Sequence, residues 1–89
     1  MRHRAIITRA TVRGLAQEPS EALLQDVSLY GCRLQSPIEH LADEAIWLRL
    51  NGSMPIPARV IWSRDGMMGC RFDAPIERPL LRSLMIALV

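Results

Sequence analysis

The chain has 89 residues, 49% of them apolar and 22% charged, with a net charge of +2. That length supports one domain around one modest core, and the composition excludes wholesale disorder in favour of a globular fold. No apolar run approaches the roughly 18–20 residues that cross a bilayer, and arginines break up the basic amino-terminal stretch MRHRAIITRATVRG before a signal-peptide core can form, so a cytoplasmic location with no membrane partner is expected.

Residues 1–4 read as a flexible basic arm. Residues 5–13, AIITRATVR, read as a first strand, because β-branched residues mixed with Arg and Thr suit a half-buried pleated surface. A loop through residues 14–20 follows. Residues 22–27 read as a second strand and residues 32–35 as its continuation beyond a bend, with Cys32 and Leu34 inward. Residues 36–44, SPIEHLADE, combine Pro and acids and read as a connection with little regular structure.

Period-two alternation is clearer further on. Ile46, Leu48 and Leu50 alternate with Ala45, Trp47 and Arg49, and Asn51-Gly52 then gives a strong hairpin signal. Ile56, Ala58, Val60 and Trp62 alternate with Pro57, Arg59, Ile61 and Ser63. Asp65-Gly66 marks a second hairpin, after which Met68, Cys70 and Phe72 share one face. Leu80, Leu81, Leu84, Met85 and Leu88 recur at helical spacing after Pro79, which suits a first helical turn. The pattern predicts a small antiparallel β-barrel over residues 5–73, closed or capped by a helix over residues 76–89. The apolar helix stripe faces a core or a partner.

The chemistry-bearing residues point away from catalysis. The acids are scattered, no His lies near a Ser or Cys in a triad-like setting, and neither a GxxxxGK[ST] phosphate loop nor an HExxH helix occurs. His3 and His40 sit in polar segments and read as solvated side chains. Cys32 and Cys70 read as small buried hydrophobes rather than a disulfide. With the two histidines they would number four ligands, but none of the spacings is that of a zinc site. No enzyme activity, cofactor or metal is therefore expected. All eleven basic residues are arginine, and Arg2, Arg4, Arg9 and Arg13 precede the first acid, Glu18. Arginine forks suit phosphates and the O6/N7 edge of guanine.

One stretch stands apart, QDVSLYG at residues 25–31. Asp26 and Ser28 offer side chains that turn back onto nearby backbone N–H groups. Gly31 would permit a positive φ and a close backbone approach by a ligand. Downstream come Ala58-Arg59-Val60-Ile61-Trp62-Ser63 and Gly69-Cys70-Arg71-Phe72. With Asp26, Ser28, Gly31 and Leu34, this order of D-x-S-x-x-G, R-V-x-W and G-x-x-F resembles the PilZ domain along essentially the whole chain.

The resemblance implies a six-stranded antiparallel β-barrel followed by an α-helix, and a receptor for the bacterial second messenger cyclic di-GMP. It places Asp26, Ser28 and Gly31 against a guanine. PilZ domains normally add an R-x-x-x-R element before the first strand, whose arginines wrap the ligand. Here the literal match, Arg9-Ala10-Thr11-Val12-Arg13, falls within the first strand. By distance from Asp26, Arg4 matches the second family arginine, and Arg2 stands in for the first. Arg9 contributes if its side chain leaves the barrel on the ligand side. Tyr30 occupies a position where many members have a small residue, and either stacks on a base or obstructs it. The implied partners are cyclic di-GMP and an effector protein that reads the changed surface. PilZ-type domains lacking the arginine element act instead as protein-interaction adaptors, which is the alternative, with the terminal helix as contact surface. A barrel for single-stranded nucleic acid needs aromatic stacking platforms beside basic residues; with so few aromatic residues, nucleic acid is not expected.

Overall fold

Two tight turns organise the second half of the chain. In the computed structural model, which describes residues 9–14 and 18–88, Asn51 and Gly52 have φ of 54° and 79°, and Asp65 and Gly66 have 54° and 77°. Positive φ at both central residues is what a type I′ turn demands, and its twist matches that of the flanking strands. The strands are β1 (Arg9–Gly14), β2 (Ser20–Val27), β3 (Gly31–Gln35), β4 (Ala45–Leu50), β5 (Ile56–Arg64) and β6 (Met67–Phe72), followed by helix α1 (Arg78–Leu88). They close into an antiparallel barrel in the order β1-β2-β3-β6-β5-β4. The barrel and terminal helix expected from the sequence are therefore present. The arm at residues 1–4 and the first half of the predicted first strand lie outside the described residues.

Alternation fills the barrel. Val12, Leu24, Leu34, Leu48, Leu50, Val60 and Met68 point inward and are fully buried. Each aliphatic side chain of this kind contributes roughly 1.5–3 kcal/mol through burial. Cys32 and Cys70 face each other across β3 and β6 as free buried thiols, as the sequence suggested. The hydrogen bond that the Cys32 thiol donates to Cys70, together with burial and repulsion by a Cys70 thiolate, pushes the Cys32 thiol far up. The helix seats Leu84 against the barrel, with Leu80, Leu81 and Leu88 packed around it.

Two register shifts break the alternation. One lies between Leu24 and Asp26, the other between Val60 and Trp62. Each is a β-bulge, in which one strand gains a residue and the following side chains change face. Strict alternation puts Asp26 on the face of Leu24, and Trp62 on the face of Val60. The extra residues, Gln25 and Ile61, instead turn Asp26 and Trp62 outward. Trp62 thus leaves the inward set in which its spacing from Ile56, Ala58 and Val60 had placed it.

The connection between β3 and β4 corrects another expectation. It lacks regular structure, as predicted, yet His40 is not solvated: its side chain is only 4% exposed. The segment folds back on β5, with Ser63 Oγ accepting from the His40 N–H (3.1 Å) and the Val60 carbonyl accepting from the Asp43 N–H (2.7 Å). His40 Nδ1 lies 3.0 Å from Glu44 Oε2, and Glu44 Oε1 accepts from the Leu41 N–H at 3.0 Å. Burial pushes the Glu44 carboxyl up, but the His40 hydrogen bond, the Leu41 N–H and the His40 charge together hold it below its ordinary value of 4.5. A depressed carboxyl stabilises the fold above its unfolded pKa, and that contribution is lost as pH falls through the folded value. In urea melts between pH 6 and pH 3, Glu44→Gln is expected to flatten the loss of stability seen in the parent below about pH 5. Equal slopes in the two proteins would show that this clasp carries no stability.

Candidate functional site

The bulges converge on one outer patch. Asp26 on β2 pairs with Arg33 on β3, Arg33 with Gly69 on β6, and Gly69 with Trp62 on β5. These four residues form a row across four strands, spanning about 14 Å at the usual strand spacing. The indole of Trp62 lies over Gly69, where a Cβ would run into its Nε1. The Arg64 guanidinium sits 5.6 Å from the Trp62 ring centroid, within cation–π range. Asp26, Ser28, Gly31, Arg33, Ile61 and Trp62 are among the residues lining the resulting concavity of about 440 Å³.

The turn between β2 and β3 frames one end. Asp26 Oδ1 accepts from the Val27 N–H at 3.0 Å. Ser28 Oγ accepts from the Tyr30 N–H at 3.2 Å, and the Ser28 N–H donates to the Gly31 carbonyl at 2.9 Å. Both side chains therefore bend back on the backbone, as their types suggested. The turn is also fixed from below. The Tyr30 carbonyl accepts from the Phe72 N–H (2.8 Å), and the Leu29 carbonyl from the Ile76 N–H (2.9 Å).

Gly31 has a different reason for being glycine than the one read from the sequence. Its φ is not positive. A Cβ on Gly31 would run into the Cys70 carbonyl oxygen and approach the Arg71 Cα at 3.3 Å. The residue lets β3 approach β6 closely, beneath the site.

The structure brings Asp26, Ser28 and Gly31 together and adds Arg33, Ile61, Trp62 and Gly69, which the sequence reading had not assigned to the site. Arg33 was findable: two residues beyond Gly31 and next to the inward Cys32 and Leu34, alternation alone turns it outward beside Asp26. Arg9 is exposed on β1, and its Nη1 reaches Glu21 Oε1 at 3.3 Å, on the side of β2 away from Asp26. Tyr30 is exposed at the turn. Arg2 and Arg4 lie outside the described residues. Antiparallel pairing of Arg9 with Leu23 means that the chain enters β1 from the end of the barrel at which β2 delivers Asp26.

A closed six-stranded barrel with a terminal helix, carrying a polar turn and a shallow concavity on its outer wall, defines a small binding module. The PilZ domain model matches residues 2–89, and the chain belongs to the PilZ domain family, whose members are cyclic di-GMP-binding and adaptor modules rather than enzymes. Its fold is similar to the PilZ domain of CeSA from a cellulose-synthesizing bacterium, with a TM-score of 0.63 and 20% sequence identity over 100% of this chain and 94% of that one. No curated protein matches it significantly. Among the described residues, no helix is long and apolar enough to cross a membrane.

Proposed function

We propose that this chain binds cyclic di-GMP on the outer wall formed by β2, β3, β6 and β5, and relays the bound state to an effector protein. The observation that carries the reading is the row Asp26–Arg33–Gly69–Trp62, which sets an acceptor, a fork of donors and an aromatic plane on one surface beside the Ser28 turn. Guanine presents N–H donors to a carboxylate and its O6/N7 acceptors to an arginine. The cyclic phosphates need cations, which Arg2 and Arg4 supply from the amino-terminal arm. Arg4 is five residues upstream of Arg9, so an extended chain reaches at most about 17–18 Å from it, enough to return along β2 towards Asp26. Arg9, engaged with Glu21, joins by exchanging a weak exposed ion pair for a phosphate.

Titration calorimetry with cyclic di-GMP tests this directly: a saturable heat is expected, and none at high micromolar nucleotide overturns it. Arg4→Ala and Ser28→Ala are each expected to weaken binding, Arg4→Ala by tenfold or more through loss of a charge-assisted contact of ~1.5–3 kcal/mol. Unchanged affinity in both variants would mean that the nucleotide sits elsewhere. A second reading, an adaptor that binds no nucleotide, is favoured by the exposure of Met85 (51%) and Ile86 (67%) on the helix. Leu84 and Leu88 are already used against the barrel, so a partner on this side would meet Met85 and Ile86.

A further inference from the structure

The strands β1 and β4 contribute no residue to the lining of the Asp26–Trp62 concavity, yet their outer face holds a larger concavity, of about 590 Å³. At its centre is Trp47, 44% exposed. Trp47 pairs across the strands with Arg13, and Arg49 pairs with Thr11. The two arginines therefore occupy opposite corners of a four-residue patch, flanking the indole. Pro19 and Pro55 wall the groove, and neither has an N–H to donate. An arginine has only donors, so the charged contacts this groove offers go to acceptors, and to anions above all.

The strands that flank the groove carry charge of the same sign. The strands β1, β4, β5 and β6 are contiguous around the barrel, carry Arg9, Arg13, Arg49, Arg59, Arg64 and Arg71, and contain no Asp or Glu. The acids of the sheet are confined to Glu21 and Asp26 of β2. The basic strands are partly balanced at their rims, by Glu21 beside Arg9 and by Asp43 and Asp73 beside Arg59 and Arg71, whereas the groove's own lining holds arginines and no acid, with an exposed tryptophan among them.

We propose that the β1–β4 groove docks an acidic segment of a partner protein, an apolar or aromatic residue of that segment resting on Trp47 while a neighbouring carboxylate engages Arg49. Tryptophan beside arginine is the composition of interface hot spots. The barrel is closed, so every strand is paired on both sides, and the partner is recognised through side chains rather than by adding a strand. A single-stranded nucleic acid fits less well. Successive bases need successive stacking platforms, and among the described residues the other aromatics are elsewhere: Trp62 lines the Asp26 concavity, Tyr30 is on the turn and Phe72 is in the core. Because the linings of the groove and of the Asp26–Trp62 concavity share no residue, both surfaces can be occupied at once.

Selection of phage-displayed random 12-residue peptides against the full chain tests the proposal. Enriched peptides are expected to carry a large apolar residue flanked by Asp or Glu. A fluorescein-labelled peptide of the enriched sequence should lose affinity at least tenfold on Trp47→Ala and on Arg49→Glu, and should bind Ser28→Ala like the parent. The exposure of both side chains lets the variants keep the parent melting temperature, which thermal denaturation checks. No enrichment, enriched peptides without acids, or binding indifferent to both substitutions overturns the proposal. So does tighter, Trp47-dependent binding of a labelled oligothymidylate, which would assign the groove to nucleic acid.

Discussion

Gly31→Ala is expected to destabilise the barrel by about 1–3 kcal/mol, the usual cost of forcing one extra carbon into a packed interior. For a domain of this size that lowers the melting temperature by roughly 4–8 °C per kcal/mol. The reason is local and severe: the added Cβ meets the backbone carbonyl of Cys70, which has no rotamer by which to step aside. Relief requires β3 to move away from β6, and this disturbs the pairs Gly31–Arg71 and Cys32–Cys70 together. The variant should also bind cyclic di-GMP more weakly, because the same strands carry Arg33 and Gly69. Thermal denaturation followed by circular dichroism reads the first effect and calorimetry the second. A Gly31→Ala protein as stable as the parent would show that strand approach is not what demands glycine here.

Arg33→Ala is expected to act in the opposite way, sparing the fold and weakening the ligand. The side chain is exposed on the outer wall, so its removal should leave the melting temperature nearly unchanged. It stands between Asp26 and Gly69 in the transverse row, where a bidentate contact to guanine or phosphate contributes ~1.5–3 kcal/mol. Affinity for cyclic di-GMP should therefore fall by roughly 10–150-fold. Arg33→Lys should recover only part of the loss, since an ammonium is a point charge without the planar fork. Parent-like affinity in Arg33→Ala would remove Arg33 from the site and leave the cationic role to the amino-terminal arginines.

These two residues mark where the sequence is legible and where it is not. The turns at Asn51-Gly52 and Asp65-Gly66, the inward faces of β3, β4 and β6 and the helix stripe, apart from the exposed Met85, follow from local rules of conformation and periodicity, and the structure has them where those rules place them. The association of Asp26, Ser28 and Gly31 was legible as a motif. The bulges were not, because Leu24-Gln25-Asp26-Val27 and Val60-Ile61-Trp62 look the same to a period-two rule whether or not one residue is extra. That ambiguity concealed which face Asp26 and Trp62 occupy, and with it the row that includes Arg33. His40 was misread because its burial comes from contacts of the 36–44 connection with Ser63 and Val60, more than fifteen residues away along the chain. The role of Gly31 was misjudged for a similar reason, since the atom that excludes a side chain belongs to Cys70.

The backbone bonds beneath the Ser28 turn have a mechanical consequence. Leu29 and Tyr30 are held by Ile76 and Phe72, and Ile76, itself buried, lies two residues before the start of α1. The turn is thus tied to the end of β6 through Tyr30–Phe72 and to the segment leading into the helix through Leu29–Ile76. A ligand that displaced the turn would break the Tyr30–Phe72 bond to the barrel wall, at about 0.5–1.5 kcal/mol, and would either break the Leu29–Ile76 bond as well or draw Ile76 with it. Displacement of the turn would therefore be felt by the approach to the helix through a single backbone bond, Leu29–Ile76.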